Sequence, residues 1–342
     1  MVDINQLTDQ VLQLLKEKIH SNYRIAVLIV GPPGSGKSTV ATELCKNLNS
    51  RMQTYLERAG TKKSSLDLKH SSESIDLLGD LTEISSALRD ELNNETTGGI
   101  LVDLVENKSF RPVKWTHNDK TVIIGRGGLA NSISISENEN NASSPVEIAQ
   151  VVPMDGFHLS RRCLDKFQDP IWAHKRRGSP DTFDSNNFLE LCKVISKTCM
   201  IKPPQTSEKE LMEIIADTFI DNVPSISIPG FDHAKKDPDV GSYCISSFNR
   251  IIILEGLYLL YDTENWSHIY PIFENTDAVV ALNIDIDEAV IEDRVAKRHL
   301  QSGLVETLEE GRAKFESNDL LNARSIREHS IDSDSIIQIR ND

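Results

Sequence analysis

One segment near the amino terminus restricts the fold of this chain more than any other. Residues 31–38 read Gly-Pro-Pro-Gly-Ser-Gly-Lys-Ser, which matches the pattern GxxxxGK[ST] in full. The apolar run at 25–30 precedes it, as is typical of a strand buried on both faces, and Ser38 begins a predicted helix. A strand, a glycine-rich loop and a helix in this order predict a phosphate-binding loop (P-loop) within an α/β sheet.

The residue types of this loop suit a nucleotide. Its glycines allow the backbone N–H groups to curl around phosphate oxygens, and the following helix adds its positive end. Lys37 is expected to reach the β and γ phosphates, and the Ser38 hydroxyl to bind Mg²⁺. We therefore predict nucleotide contacts along the loop and the first helical turn, from Gly31, Pro32, Pro33, Gly34, Ser35, Gly36, Lys37, Ser38 and Thr39.

Composition excludes several classes of function. The 342 residues include 52 acidic and 37 basic ones, and the net charge of −15 disfavours nucleic acid and anionic membranes as partners. The five cysteines are scattered without a CxxC pair, which argues against a zinc site or a disulfide framework. No apolar run reaches the roughly 18 residues of a membrane span. We expect a soluble, intracellular, cytoplasmic protein with a small-molecule substrate.

The rest of the chain alternates between predicted strands and helices. Apolar runs predict strands at 148–152, 225–228, 251–254 and 278–284. Helical patterns occur at 4–20, 188–197, 286–300 and 305–316. This alternation predicts a single α/β domain over 1–342, a doubly wound parallel sheet flanked by helices.

The composition changes over residues 52–146, which we interpret as an insertion after the first helix of the α/β core. Ser- and Asn-rich tracts, notably 132–144, suggest that it is part folded and part mobile, with strands possible at 100–105 and 121–124. It could cover the site or dock a protein partner. The Gly-Arg-Gly-Gly run at 125–128 resembles a phosphate loop superficially, but no helix follows and we predict a turn.

The phosphate-binding loop alone leaves the reaction open. A regulatory GTPase needs an NKxD-type motif, and the nearest candidate, Asn-Lys-Ser-Phe at 107–110, lacks the aspartate. The run Met-Asp-Gly-Phe-His at 154–158 follows directly on a predicted strand, and ligands in parallel sheets bind beyond the carboxyl ends of strands. Asp155 could there accept a proton from a substrate hydroxyl, or it could simply belong to an Asp-Gly turn that ends the strand.

Five further segments follow in a consistent order. They are Arg-Arg-Gly-Ser-Pro-Asp-Thr-Phe-Asp at 176–184, Ile-Pro-Gly-Phe-Asp-His at 228–233, Ile-Ile-Ile-Leu-Glu-Gly-Leu at 251–257, Arg-Val-Ala-Lys-Arg at 294–298 and Asn-Asp-Leu-Leu-Asn at 318–322. With the phosphate loop and residues 154–158, they resemble the P-loop kinases that include phosphoribulokinase, uridine kinase and bacterial-type pantothenate kinase. The resemblance covers residues 24–50 and 146–330. It implies a nucleoside-kinase-like variant of the P-loop NTPase fold, with ATP and Mg²⁺ as cofactors.

The resemblance also implies residue roles. Asp155 would be the catalytic base, Lys37 and Arg298 would act on the transferring phosphate, and Glu255 would hold Mg²⁺ with Ser38. Two further nucleotide contacts are implied at Arg294 and Asn318. The acceptor pocket is expected to consist of His158, Arg177, Phe183, Phe231 and His233.

Departures from the family leave the acceptor open among a nucleoside, a sugar, a pantothenate-like molecule and a phosphorylated sugar. Uridine kinases have a tyrosine where this chain has His158, and residues 176–180 are closer to pantothenate kinase. Arg176 and Arg177 suggest a clamp for a carboxylate or phosphate. The alternative function is a catalytically weak nucleotide-binding regulator that keeps the kinase fold. A homodimer, or a partner bound through the insertion, is a further hypothesis.

Overall fold

The computed structural model describes residues 2–71, 76–117, 119–137 and 145–341. The strands in these residues are β1 (Ile25–Val30), β2 (Val113–His117), β3 (Lys120–Ile124), β4 (Ile133–Ser136), β5 (Ala149–Pro153), β6 (Ser225–Asp232), β7 (Asp237–Ile245), β8 (Ile251–Gly256), β9 (Val279–Asp285) and β10 (Ile336–Arg340). The helices are α1 (Ile4–Lys18), α2 (Lys37–Ala59), α3 (Ser86–Asn93), α4 (Arg161–Leu164), α5 (Pro170–Lys175), α6 (Ser185–Cys199), α7 (Leu211–Asp217), α8 (Ile269–Glu274), α9 (Glu288–Gln301), α10 (Leu308–Lys314) and α11 (Leu320–Glu328).

A parallel sheet in the order β10-β9-β1-β8-β5 forms the centre of the molecule. Successive residues of β1 face opposite sides of this sheet, as the strand geometry requires. Val27 and Ile29 pack in one hydrophobic cluster with residues of α1 and α2, while Leu28 and Val30 pack in another with residues of α6 and α8. Helices on both faces explain the continuous apolar runs of the strands, and they confirm the predicted fold class.

A second sheet is antiparallel, in the order β2-β3-β4-β6-β7. The run at 225–228 is a strand as predicted, but its expected place in the parallel sheet is wrong. It begins β6, which pairs with β4 on one side and β7 on the other. The sequence did not show this because the two strands pair over a long separation in the chain. Strand β4 belongs to the compositionally different region and lies almost ninety residues before β6.

The structure corrects several details of residues 52–146. The change in composition at residue 52 falls inside α2, because Met52 and Leu56 continue the buried stripe of that helix. The strand predicted at 100–105 is wrong: Val102–Leu104 is a short 3₁₀ helix, and the buried side chains around it belong to two small hydrophobic clusters. The strand at 121–124 is confirmed within β3.

The Ser- and Asn-rich tract is not uniform. Its first part contains β4, whose Ile133 and Ile135 are buried and whose backbone pairs with β3 and β6. Its second part, residues 138–144, lies outside the described residues. The run at 125–128 forms the predicted turn, since the Gly128 amide donates to the Gly125 carbonyl over 3.1 Å. No helix in the described parts of the chain is long and apolar enough to cross a membrane.

Candidate active site

The phosphate-binding loop joins β1 to α2 at the carboxyl edge of the parallel sheet. Gly34 and Gly36 adopt φ angles of 77° and 92°, in the left-handed region that side chains disfavour. A Cβ atom at Gly34 would lie 2.9 Å from a methyl carbon of Val295, and one at Gly36 would lie 2.9 Å from the Asn341 amide nitrogen. Space and backbone conformation both require glycine at these positions.

Lys37 begins α2 and points back into the loop. Its Nζ donates to the Pro32 carbonyl over 3.3 Å and lies 3.9 Å from Glu255 Oε1. Burial lowers the pKa of Lys37, and the negative charges of Glu255 and Asp155 oppose this shift. The lysine therefore occupies a nearly dry position from which phosphate oxygens could take over its interactions.

Glu255 reaches the loop because β8 lies next to β1. The register pairs Ile29 with Glu255, so the carboxylate stands beside the start of the loop. Burial and the charge of Asp155 raise the pKa of Glu255, while Lys37 and a hydrogen bond from the Ser38 hydroxyl oppose the rise. A hydroxyl and a carboxylate side by side are oxygen donors of the kind that Mg²⁺ takes, the rest being phosphate and water oxygens. These residues fit a magnesium ion.

Asp155 follows β5, the strand on the other side of β8. Pro153 pairs with Glu255 in the parallel register, and a 3₁₀ turn over Met154–Phe157 carries Asp155 past the strand end. Its side chain is about half exposed (46%). Asp155 thus lies in the turn that ends the strand, with His158 Nδ1 at 3.9 Å from its Oδ1, and about half of its side chain remains accessible to a ligand.

Two cavities share Ser38 in their linings. The first, which we call the acceptor cavity, has a volume of about 780 Å³ and is lined by Asp155, Glu255 and Ser38 and by side chains of α2, β6 and β7. The second, the nucleotide cavity, has a volume of about 660 Å³. Its lining includes Gly34, Gly36, Lys37, Ser38, Thr39, Arg294, Arg298 and Asn341. The two volumes are of the size that small ligands occupy in proteins.

The two predicted arginines of α9 line the nucleotide cavity. Arg294 Nη1 lies 3.5 Å from the Gly34 carbonyl oxygen and 3.3 Å from that of Asn341, at the rim of the loop. Arg298 lines the same cavity as Lys37, and its positive charge contributes to lowering the pKa of that lysine. The i,i+4 spacing brings both guanidinium groups to one face of the helix.

Two of the predicted acceptor residues line the acceptor cavity with Asp155, and His158 lies next to them without lining it. Phe231 and His233 line the acceptor cavity, and their rings are 5.3 Å apart. His158 Nδ1 donates to the Asp155 carbonyl over 2.9 Å, and its ring lies 4.9 Å from that of Phe231. Burial lowers the pKa of His158, so the neutral imidazole is favoured.

Phe183 lies behind this group. It is completely buried and contacts the rings of His158, Tyr258 and Trp266 at 4.0, 5.7 and 5.9 Å. Phe183 therefore supports the pocket from the core and does not line the acceptor cavity.

The structure does not bring Arg177 or Asn318 to either cavity. Arg177 donates to Asp237 and to the Leu159 carbonyl, both over 2.9 Å, and to the Lys236 carbonyl. Asn318 accepts from Arg176 over 2.6 Å and donates to the Arg177 carbonyl over 3.0 Å. Their predicted roles in ligand binding remain predictions. The structure places both residues in a network of hydrogen bonds within the chain.

Two residues of the site were missed in the sequence. Tyr243 of β7 pairs with Ile228 of β6 and lines the acceptor cavity. No motif in the sequence marks it. Asn341 follows β10 and donates from Nδ2 to the Ser35 carbonyl over 2.8 Å. Its position directly after a parallel strand is a signal that could have identified it.

Comparison with known proteins gives relatives over the whole chain. The "ATP-dependent kinase YFH7" proteins of Vanderwaltozyma polyspora and Saccharomyces cerevisiae (strain S288c) are each 49% identical, and all of each chain is covered. That of Zygosaccharomyces rouxii is 47% identical over all of this chain and 91% of its own. A family model described as "AAA domain (dynein-related subfamily)" matches residues 26–102, a minor part of the chain around the phosphate-binding loop.

Solved structures agree. The crystal structure of Saccharomyces cerevisiae YFH7, a candidate P-loop-containing kinase with a circular permutation, covers all of both chains with 50% identity and a TM-score of 0.89. A candidate fructose transport system kinase from Silicibacter sp. TM1040 covers 98% of this chain and 99% of its own, with 22% identity and a TM-score of 0.53, and shares the fold. The parallel sheet and its loop are thus a P-loop NTPase fold, and the chain belongs to the YFH7 family of ATP-dependent P-loop kinases.

Proposed function

We propose that this protein transfers the γ-phosphate of ATP to a hydroxyl group of a small molecule. One observation carries the proposal: Asp155 lines one cavity, the phosphate-binding loop lines another, and the two linings share Ser38. A nucleotide held by the loop and an acceptor beside Asp155 would therefore approach each other at the terminal phosphate. Positioning of this kind is the main source of catalysis in phosphoryl transfer.

The residues divide the reaction between them. Asp155 would orient the acceptor hydroxyl and take its proton as the new oxygen–phosphorus bond forms. Lys37 and Arg298, from the loop and from α9, would bind the oxygens of the transferring phosphate, and Arg294 would bind at the rim. Ser38 and Glu255 would hold Mg²⁺, which supplies positive charge to the β and γ phosphates.

Within the P-loop kinases, the order of the segments supports a relation to the phosphoribulokinase and uridine kinase group. On this proposal Phe231 and His233 contact the acceptor, and His158 supports them through the Phe231 ring and the Asp155 carbonyl. Phe183 supports them, and Arg177 and Asn318 hold the segment that follows α5. We also propose a cytoplasmic location, where ATP is available to the protein.

The test is an acceptor screen with purified protein, [γ-³²P]ATP and Mg²⁺, against pools of nucleosides, sugars, vitamins and their phosphates. Acceptor-dependent formation of a labelled product and of ADP in equal amounts is expected. Binding of ATP without transfer to any acceptor would contradict the proposal, and would favour a regulator that has kept the fold.

We also propose that part of residues 60–145 is an addition to a complete core. The ladder between β4 and β6 ties this region to the core on one side. Limited proteolysis should cut first within 132–145, and the nicked protein should still bind ATP. Global unfolding on the first cut would show that the region is integral to the fold.

A further inference from the structure

The charge of the acceptor cavity restricts what can bind in it. Its lining contains three carboxylates, those of Glu147, Asp155 and Glu255. Among the lining residues, all of which the structure describes, Lys46 is the one lysine or arginine. The part of the cavity next to the P-loop, where the acceptor hydroxyl would lie, is thus lined by two acidic side chains. The basic side chain next to them is that of the buried Lys37, whose Nζ lies 3.9 Å from Glu255 Oε1.

The two arginines that suggested an anion clamp are engaged elsewhere. Arg177 is held by Asp237 and by two backbone carbonyls, with 15% of its side chain exposed. Arg176 donates to Asn318 over 2.6 Å and to Asn322 over 2.9 Å. Neither lines the acceptor cavity. Arg177 Cζ lies 5.5 Å from the centre of the Phe231 ring, but its charge is paired with Asp237.

Lys46 offsets only weakly the acids near the reacting atoms. It is eight residues beyond Ser38 on α2, or about 12 Å along the helix axis. It is exposed, and Glu147 lines the same outer end of the cavity. At the inner end, burial raises the pKa of Tyr243, and the negative charges of Glu255 and Asp155 raise it further. Both charges therefore act on an aromatic side chain that lines the cavity. Bound ATP would add more negative charge beside this site.

The aromatic side chains of the cavity indicate which contacts, other than ion pairs, would recognise the acceptor. Phe231, His233 and Tyr243 line the cavity together with polar residues of α2, among them Thr42 and Gln53. Aromatic side chains offer apolar contact to a ring or chain, and hydroxyl and amide groups offer hydrogen bonds.

We propose that the acceptor is an uncharged polyhydroxyl molecule with an apolar or ring face, and that acceptors carrying a carboxylate or phosphate are discriminated against. This inference rests on the proposed function, because it names the substrate class of the same site. Mg²⁺ held by Ser38 and Glu255 would offset the charges of Glu255 and of the phosphates. A second negative charge within a few ångströms of Asp155 would still meet repulsion that no lysine or arginine next to Asp155 in the lining cancels.

The test uses pairs of probes that differ in one charged group: panthenol and pantothenate, D-fructose and D-fructose 6-phosphate, and uridine and uridine 3′-monophosphate. In each pair that is phosphorylated, kcat/KM for the neutral member should be higher by roughly tenfold or more, the effect of a single poorly screened charge. Charged members used equally well or better would overturn the inference while the kinase assignment stands. Absence of transfer to every probe, with ATP bound, would contradict the proposed function and the inference with it.

A charge-reversal variant tests the electrostatic cause. Glu147→Lys changes an exposed residue at the outer end of the cavity and should reduce the preference for the neutral probe by roughly threefold, because exposed charges are screened. Glu208→Lys makes the same change at an exposed site outside the cavity and should leave the preference as it was. An unchanged preference in Glu147→Lys, or an equal change in both variants, would overturn the electrostatic explanation.

Discussion

The parallel sheet and the antiparallel sheet both contribute to the acceptor cavity, but in different ways. Strands β1 and β8 are buried along their whole length, and their carboxyl ends place the phosphate-binding loop and Glu255 in register. Strand β7 is largely exposed along its middle, and with β6 it contributes the side chains Phe231 and Tyr243. The nucleotide side is therefore fixed by backbone geometry, whereas the acceptor side depends on side chains that can vary without disturbing the core.

This difference predicts that changes at the loop act on catalysis most strongly. Lys37→Ala should lower phosphate transfer by roughly 10³-fold, because charge on the transferring phosphate loses a buried cation, and should also weaken ATP binding. Single-turnover kinetics and calorimetry measure the two effects. Lys46→Ala, on the same helix but outside the nucleotide cavity, is the control and should bind ATP normally. Unchanged affinity and turnover in Lys37→Ala would rule out this nucleotide site.

Two phenylalanines separate support of the pocket from contact with the acceptor. Phe183→Ala should lower the free energy of unfolding by about 3–5 kcal/mol, because it removes a fully buried ring from an aromatic cluster. Phe231→Ala, at the cavity wall, should cost less stability and mainly raise KM for the acceptor. Urea unfolding and acceptor titrations measure these quantities. Equal losses of stability in the two variants would show that the cavity wall is part of the core.

Substitution of the two arginines of α9 should reduce activity to different extents. Arg298→Gln is expected to lower kcat by roughly 10²-fold, since its charge faces Lys37 and the loop. Arg294→Gln should have a smaller effect, because its guanidinium lies at the rim of the loop near the carbonyl oxygens of Gly34 and Asn341. Steady-state kinetics at saturating ATP measure both. An Arg294 variant that loses more activity than the Arg298 variant would reverse the assignment.

The same contrast explains what the sequence could and could not predict. The loop, Glu255 and Asp155 follow directly on apolar strands, and local order was enough to place them at one edge of a parallel sheet. Strand β6 was predicted as a strand but assigned to the wrong sheet. Its partner β4 lies far away in the chain, within a Ser- and Asn-rich tract whose alternation of Ile and Ser is short.

The arginine network shows the same limit. Arg176 and Arg177 look like free cations in the sequence, because their partners are distant: Asn318 is 142 residues from Arg176, and Asp237 is 60 residues from Arg177. A guanidinium group that binds a ligand and one that holds two segments together have the same local pattern. Only the folded chain distinguishes them.

The most direct test of the central claim is Asp155→Asn, measured for ATP·Mg²⁺ binding and for acceptor phosphorylation in the same preparation. Asparagine keeps the volume and one acceptor oxygen but cannot take the proton. We predict nearly unchanged binding and a loss of transfer of roughly 10²–10⁴-fold. Asp165→Asn, on the surface and paired with His174, is the matched control and should retain activity. Transfer close to that of the unmodified protein in Asp155→Asn would contradict the account and make Glu255 the candidate base.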